Sequence, residues 1–397
     1  MKYSCNTETD KPRIILVHEP GLETRLAVAD PVFWGFDPSL KDDPRPFEKW
    51  LEDAKKEHQA MVSVLQQQGV EVLYVSSLLQ QKHEEIVKYL NAQFSRVELK
   101  IGDFEVGVQK GIREAYSTML ESPVTGLLLG LESGRRFRQL PYEKKLDVYR
   151  KLGTFMPQTS LFYTQDPVIS SPSGLIKSRM AMFIRRQEPD VLEIALGREN
   201  YVHRLMNSTE GGDVTISSYV QGGDILYAGG RMLLGISALS GRGIEAESES
   251  FTEKAGVKSL VKLYTPDFFN PKLRYATENV MHLDTLMMPI DGNELLANIR
   301  MLKQTAVREG THPVINAFEW AERNFGRIVE VPDEEQQGTY GWGSNVLPLG
   351  NRKILSSNHL RRTNSNLREA GYEVIDIIST TLTSGFGSHH CMTAYLK

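Results

Sequence analysis

Four short polar segments contain most of the residues whose types and spacing could do chemistry. They are LFYTQDP (161–167), QGGD (221–224), MHLDT (281–285) and GFGSHHCMT (385–393). The last segment is a glycine-rich turn that leads into Cys391. Such a turn exposes a thiol and offers backbone N–H groups that lower its pKa. Cys391 is therefore the predicted nucleophile of a cysteine enzyme.

Acidic residues and one histidine are the predicted partners of this thiol. Asp166 ends a segment that reads as an aromatic strand, and Asp284 lies two residues after His282 in another such segment. Residues i and i+2 of a strand point to the same face, so His282 and Asp284 are expected to face one cavity. Each segment also has a purely structural explanation, because Asp before Pro forms turns and paired glycines mark bulges. The pattern alone leaves the substrate open.

Composition and charge argue against several classes of partner. The 397 residues are 40% hydrophobic and 24% charged, with a formal net charge of −4 and no basic stripe that would follow phosphates. No segment reaches the roughly 18 apolar residues that span a bilayer. The stretch MKYSCNTETDK lacks the apolar run of a signal peptide. We therefore expect a cytoplasmic protein with no nucleic-acid or membrane partner.

The cysteines and histidines predict neither disulfides nor a metal. The chain has two cysteines, Cys5 and Cys391, which favours a reducing compartment over a disulfide framework. The histidines lack ligand spacing apart from the adjacent His389 and His390, which form a poor chelate. We predict no metal and no other cofactor. A homo-oligomer is the default expectation for a metabolic enzyme.

The elements that must position these residues recur along the chain. Residues 65–75 and 367–377 each read as a helix end, a glycine and a short strand, and 253–263 and 321–331 read as looser copies. Apolar strands precede the helical stretches at 13–20, 224–237 and 345–358. This recurrence predicts a radial or stacked α/β repeat.

Residues 78–153 break this rhythm. They hold few strand signals and many helix formers, as in LLQQKHEEIVKYLNAQF and PYEKKLDVYRKLG. No low-complexity segment or long linker divides the chain. We therefore predict a single catalytic domain over 1–397 with a helical insertion at 78–153.

The four polar segments, in this order and spacing, resemble those of the arginine deiminases. That family belongs to the guanidino-group-modifying superfamily, with dimethylarginine hydrolases and amidinotransferases. YTQDP resembles the family's F-T-R-D-P, HLDT matches its H-L-D-T, GSHHCMT resembles its G-G-x-H-C-M-T/S, and ILVHEPGLE (15–23) resembles its opening strand and turn. The resemblance covers nearly the whole chain. It implies a five-bladed α/β propeller (pentein) of repeated ββαβ-like units around one central pocket.

The resemblance also implies residue roles. Asp166 and Asp284 would hold a guanidinium by paired charge-assisted hydrogen bonds, and Asp224 joins the substrate-binding set. Cys391 would attack the guanidinium carbon. His282 would protonate the leaving amine and then activate the water that hydrolyses the thiouronium intermediate. The implied reaction is hydrolytic deimination, most simply of L-arginine to L-citrulline and ammonia.

Several positions depart from the family pattern. Gln221 stands where the family has an acidic residue beside the catalytic histidine, and a neutral amide can orient His282 but adds no charge to stabilise its imidazolium. Phe386 replaces an arginine, which makes the pocket mouth more apolar. Arg185 fits one position that holds the substrate's carboxylate, and Arg242 is a shifted candidate for a second.

Two other enzymatic functions stay open. An amidinotransferase would use an amine in place of water as the second nucleophile, and a related hydrolase would act on a modified arginine. The helical region and the HLDT match favour the deiminase. A binding module that lost turnover through Gln221 is disfavoured, because Cys391, His282, Asp166 and Asp284 are all present.

Overall fold

The structure is a computed structural model. It describes residues 3–28, 44–204, 219–237, 240, 243–265, 282–310, 314–336, 342–384 and 387–397. Arg242 and Phe386 lie outside these residues, so their predicted roles are not addressed by the fold or the site.

Short strands, numbered β1 to β17 in chain order, form five sheets within the described residues. The strands are Ile14–Val17 (β1), Glu71–Tyr74 (β2), Val168–Ser171 (β3), Gly174–Lys177 (β4), Tyr201–Arg204 (β5), Ile225–Ala228 (β6), Arg231–Ile236 (β7), Leu260–Tyr264 (β8), Met287–Asp291 (β9), Glu294–Ala297 (β10), Ala306–Glu309 (β11), Ile315–Asn316 (β12), Arg327–Glu330 (β13), Leu347–Pro348 (β14), Lys353–Ser357 (β15), Glu373–Ile377 (β16) and Ala394–Tyr395 (β17).

Each sheet contains the same unit, an antiparallel pair followed by a crossover to a parallel third strand. The unit is β3–β4–β5, β6–β7–β8, β9–β10–β13 and β14–β15–β16. In the remaining sheet β17 pairs antiparallel with β1, and β1 pairs parallel with β2. β11 and β12 extend the sheet of β6 to β8. The predicted α/β class with repeated ββαβ-like units is confirmed.

Helices make the crossovers, and in four of the five a glycine with left-handed backbone follows the helix. The crossover helices are Pro44–Gln67, Glu188–Leu196, Gly243–Ala255, Ile299–Gln304 with Ala317–Asn324, and Arg361–Glu369. Gly69, Gly197, Gly256 and Gly371 have φ of 73°, 87°, 75° and 90°. This left-handed backbone stops a helix at little cost only when the residue is glycine. The helix–glycine–strand repeat that contains Gly197 was not predicted from the sequence, because a 3₁₀ turn, Arg198–Asn200, separates this glycine from β5.

Between β2 and β3 the chain is helical. The helices there are Val75–Leu79, His83–Ile101, Val106–Glu121, Pro123–Leu129, Arg135–Arg138 and Tyr142–Leu152. Their apolar faces, with Ile86 and Ile112, share one core with Leu16 of β1 and Leu175 of β4. Whether this region is an insertion within a single domain stays a prediction.

The shorter helices are Arg25–Val28, Asp333–Gln336 and Thr380–Thr383, and 3₁₀ turns lie at Leu22–Thr24, Gly130–Ser133, Phe183–Arg185, Gly222–Asp224 and Leu283–Thr285. No helix within the described residues is both long and apolar enough to cross a membrane.

Asp166, His282 and Asp284 lie in or next to turns, so their predicted placement on strands is wrong, whereas Cys391 lies in a turn as predicted. Asp166 lies in a turn just before β3. His282 is the N-cap of the 3₁₀ turn Leu283–Thr285, which precedes β9. The Thr285 hydroxyl donates to the His282 carbonyl at 2.7 Å and stabilises this turn against an extended strand.

Candidate active site

Equivalent positions in the five units supply the polar residues of the site. Each unit begins with a short segment that precedes the first strand of its antiparallel pair, and the polar residue of that segment lies one to three residues before the strand. In chain order these segments carry Asp166, Asp224, Asp284, Asn345 and Cys391. A polar or nucleophilic residue therefore lies within three residues before the first strand of every unit.

Hydrogen bonds join neighbouring segments, beginning with the first three. The Gly222 N–H donates to the Asp166 carbonyl at 3.0 Å. The Leu283 N–H donates to Asp224 Oδ1 at 3.0 Å. The segments before β3, β6 and β9 are thus linked through backbone groups and one carboxylate.

The same pattern continues through the last two segments. Asn345 Nδ2 donates to the Asp284 carbonyl at 3.2 Å, and Asn345 Oδ1 accepts from the Cys391 N–H at 3.2 Å. The Gln165 N–H donates to the Cys391 carbonyl at 3.1 Å. Because Gln165 precedes Asp166, this bond returns to the first segment, and the five segments form a closed ring.

Cys391 lies against Asp284 inside this ring. Its Sγ is 3.3 Å from Asp284 Oδ2, which also lies 2.8 Å from His390 Nδ1. The other oxygen, Asp284 Oδ1, is buried and has no hydrogen-bond partner among the described residues. A buried acceptor without a donor is costly, so Oδ1 marks a place where a ligand's N–H group fits.

The environment of the thiol differs from the sequence-based expectation. Cys391 is only 3% exposed. Burial and the carboxylates of Asp284 and Asp166 raise the pKa of Cys391 well above its ordinary range, and these effects outweigh a backbone hydrogen bond that lowers it. The prediction that the turn exposes the thiol and lowers its pKa is therefore wrong.

Asp166 and His282 contact each other within the site. His282 Nδ1 lies 3.3 Å from Asp166 Oδ1, which also accepts from the Gly223 N–H at 3.3 Å. A Cβ at Gly223 would lie 2.8 Å from both Asp166 Oδ1 and His282 Nδ1, so only glycine allows this approach. His282 Nε2 is buried without a partner among the described residues and is available to a ligand.

Arg185 pairs with Asp166 from the outside. Its Nη1 donates to Asp166 Oδ2 at 2.6 Å and its Nε to Glu188 Oε2 at 2.8 Å, while Nη2 donates to the carbonyls of Ser160 and Tyr163. Burial opposes ionisation of Asp166, but the charges of His282 and Arg185 together lower the pKa of Asp166. Every nitrogen of Arg185 thus donates to a protein oxygen, and its predicted role as a carboxylate ligand would require new partners.

Asp224 holds the neighbouring turn. Besides the Leu283 N–H, its carboxylate accepts from the hydroxyls of Ser237 and Ser240. Burial raises the pKa of Asp224 to about 6. These protein donors occupy both oxygens, and the substrate-binding role stays a prediction. Gln221, at the start of the same turn, is fully buried, and its predicted effect on His282 is likewise a prediction.

Three residues that contact the site were not predicted from the sequence. Asn345 could have been found, because NVLPLGNRKILSSN was recognised as a strand region and Asn345 takes the position that Asp166 takes before β3. Glu188 and Glu8, which contact Arg185 and His390, had no local signal. Among the described residues no group of three or more His, Cys, Asp or Glu side chains is arranged to hold a metal.

The chain is similar to known proteins over nearly its whole length. The family model described as "Arginine deiminase" matches residues 47–397. Arginine deiminases of Mycolicibacterium gilvum and Bacillus thuringiensis are each 24% identical to this chain, and each alignment covers 98% of the chain and 96% of the relative.

Solved structures of related enzymes share the fold. A DDAH from Pseudomonas aeruginosa, complexed with citrulline, has a TM-score of 0.53 at 17% identity and covers 96% of this chain and 98% of its own. The amidinotransferase SxtG from Microseira wollei has a TM-score of 0.57 at 12% identity, with 100% and 97% covered. The N-terminal domain of ArgZ, a cyanobacterial arginine dihydrolase bound to product, has a TM-score of 0.57 at 13% identity, with 98% of both chains covered.

Proposed function

Because the chain belongs to the arginine deiminase family, we propose that it hydrolyses L-arginine to L-citrulline and ammonia through a covalent intermediate on Cys391. The observation that carries this proposal is the position of the buried thiol. Cys391 Sγ contacts one oxygen of Asp284, whose other oxygen lacks a donor among the described residues. A cationic guanidinium is the ligand that this arrangement suits.

Substrate binding also activates the nucleophile. The guanidinium donates to Asp284 Oδ1 and to Asp166, and its charge opposes the two carboxylates that raise the pKa of the Cys391 thiol. The pKa of the thiol therefore falls when substrate is bound. Deprotonation is then coupled to substrate binding, and the thiol keeps its proton until the guanidinium is bound.

The chemical steps use His282 twice. The Cys391 thiol loses its proton to solvent, and the thiolate attacks the guanidinium carbon. The imidazolium of His282 then gives a proton from Nε2 to the departing nitrogen, which leaves as ammonia. The neutral imidazole then removes a proton from water, and the hydroxide attacks the thiouronium carbon. Collapse of that adduct breaks the C–S bond, regenerates the thiolate and releases citrulline. No step needs a metal or another cofactor.

The proposal includes the architecture around the site. The five ββαβ units and the closed ring of hydrogen bonds support a five-bladed propeller that forms a single domain, with 78–153 as its helical insertion. The partner is a small guanidino compound, and a cytoplasmic homo-oligomer stays part of the proposal. Carboxylate binding by Arg185 and Arg242 stays a prediction.

A product assay tests this function against amidinotransfer. Enzyme is incubated with L-arginine alone and with added glycine or lysine, and the products are separated by mass spectrometry. We expect citrulline and ammonia in every mixture and none from Cys391→Ser, whose hydroxyl is a far weaker nucleophile at this site. Ornithine formed only when an amine is added would instead identify an amidinotransferase. Near-native turnover by Cys391→Ser would end the nucleophile assignment.

A further inference from the structure

An N-terminal segment, residues 3–10, reaches the active site from outside the ring. The Ser4 N–H donates to the Leu396 carbonyl at 2.9 Å, and the Cys5 N–H donates to the Ser171 carbonyl at 3.0 Å. These bonds fix the segment beside the ends of β17 and β3 and leave Glu8 buried. The segment lies outside the 47–397 stretch that the family model matches.

Glu8 contacts both sides of the ring closure. Its Oε2 lies 3.4 Å from His390 Nε2, and its Oε1 accepts from Gln165 Nε2 at 3.2 Å. His390 is fully buried, and its Nδ1 is 2.8 Å from Asp284 Oδ2. The imidazole thus lies between two carboxylates, one at each ring nitrogen. Only a doubly protonated imidazole donates at both nitrogens.

The charges around His390 favour that doubly protonated form. Burial lowers its pKa, but Glu8 and Asp284 outweigh burial and raise the pKa of His390 to about 10. The other titratable groups near His390 in the described part of the chain are Cys391 on the same turn and Tyr395 on β17, whose ring centroid is 6.3 Å from that of His390. Cys5 and Tyr227 lie near Glu8. None of these four groups is a cation, so the positive charge opposite Asp284 depends on Glu8.

We propose that Glu8 is a positioning residue for deimination, which acts through His390 to hold the Asp284 carboxylate turned so that Oδ1 faces the substrate. The inference rests on the proposed function, because Asp284 is the residue that receives the guanidinium. Without Glu8, the buried histidine loses one of its two anionic partners. His390 then deprotonates at lower pH, and Asp284 loses its counter-charge.

Three variants of the full chain separate this role from simple anchoring. Glu8→Gln keeps the shape and removes the charge, Glu8→Asp keeps the charge, and Asp10→Asn removes a charge from an exposed position of the same segment. The kcat/KM for arginine is measured from pH 6 to pH 10.5.

We expect Glu8→Gln to lose activity at lower pH than the native protein. The active form carries protonated His390, so activity disappears as pH rises through the pKa of that histidine. Loss of one neighbouring charge moves a pKa by about one to three units, so the alkaline limb should move down by about that amount. Glu8→Asp should restore most of the native profile, and Asp10→Asn should leave it unchanged. An alkaline limb that does not move in Glu8→Gln, or moves equally in Asp10→Asn, overturns the proposal.

A second measurement does not depend on turnover. The ring proton resonances of His390 are followed by NMR against pH in the native protein and in both Glu8 variants, with assignment by His390→Asn. The midpoint should fall in Glu8→Gln and stay near the native value in Glu8→Asp. If arginine is not converted, the proposed function fails while this titration still decides whether Glu8 sets the charge of His390. Equal midpoints in native and Glu8→Gln protein refute that role.

Discussion

The two carboxylates proposed to hold the guanidinium each pair with a buried cation, and each cation contacts a second buried acid. We call these groups the arginine triad (Asp166, Arg185, Glu188) and the histidine triad (Asp284, His390, Glu8). The arrangement of charges is the same in both, but the cations differ in chemistry. A guanidinium keeps its charge at every accessible pH, whereas an imidazolium can lose it.

The difference assigns separate properties to the two sides of the site. In the arginine triad Asp166 has a permanent counter-charge, and burial raises the pKa of Glu188 to about 7 without affecting the guanidinium charge. In the histidine triad the counter-charge beside the nucleophile is conditional on proton uptake. We infer that the counter-charge of Asp284 depends on pH, whereas that of Asp166 does not.

Removing the permanent cation should have the largest effect on stability. Arg185→Met leaves Asp166 and Glu188 buried without their shared partner, and breaking such a buried pair costs about 3–5 kcal/mol. Urea unfolding measures the loss. Arg198→Gln serves as a control, because Arg198 has a largely exposed side chain whose contact with Glu193 is 3.9 Å long. A change below about 1 kcal/mol for Arg185→Met would show that the triad contributes little to the fold.

Kinetics of Arg185→Lys then decide which partner Arg185 serves. If it holds Asp166, the loss of kcat/KM should be equal for arginine and for its decarboxylated analogue agmatine, because both present the same guanidinium. We expect equal losses, since its nitrogens donate to protein oxygens. A loss confined to arginine would instead establish the carboxylate-binding role predicted from the sequence.

The adjacent residues His389 and His390 provide a further test of the comparison, through the pH dependence of the free energy of unfolding. Burial lowers the pKa of His389 to about 3, while the two acids raise that of His390 to about 10. His389 therefore costs stability as pH falls below about 6.5, where only the unfolded chain takes up its proton. His390 loses its stabilisation as pH rises above about 6.5, where only the folded chain keeps its proton.

Together these two residues should give a stability maximum near pH 6.5. Each contributes a slope of at most about 1.4 kcal/mol per pH unit. Denaturant unfolding from pH 4 to pH 9 measures the curve, and His389→Asn and His390→Asn should flatten its acid and alkaline sides respectively. A curve whose alkaline side is unaltered in His390→Asn would contradict the charged state of that histidine.

The smallest effect should come from a new carboxylate at Gln221, which lies outside both triads. Gln221→Glu adds an anion to a fully buried position, and if that position neighbours His282 the pH profile of kcat should move up by about one unit. Profiles of both proteins on arginine measure this shift. An unchanged profile would mean that residue 221 does not neighbour the histidine, and the equivalence with the family's acidic position would be withdrawn.

The sequence predicted which segments meet at the site better than how those segments fold. The segments that carry Asp166, His282, Asp284 and Cys391 do meet, because glycine-punctuated repeats and short polar segments are local signals. The strand alternation invoked for His282 and Asp284 failed because a hydrogen bond from Thr285 makes that segment a 3₁₀ turn.

Contacts between distant segments could not be predicted in the same way. Glu8 meets His390 only because residues 3–10 pack beside the end of β17, and nothing in the polar N-terminal stretch indicates this. Likewise, FIRRQE shows that Arg185 and Glu188 are close in sequence but not that Arg185 reaches Asp166. The charge of a buried group depends on such long-range partners, so the local sequence pattern could not predict it.

The pairing of β1 with β17 also sets when the active site can form. Ile15 and Leu16 pair with Tyr395 and Ala394, so one edge of β1 stays unpaired until β17 has been synthesised. At the usual synthesis rate of 5–20 residues per second, β17 follows β1 after roughly 20–75 s. During this interval the sheet of β1 and β2 has an unpaired edge that can pair wrongly with another chain. Cys391 enters the ring only with β17, so a growing chain has no assembled catalytic centre until this late strand docks.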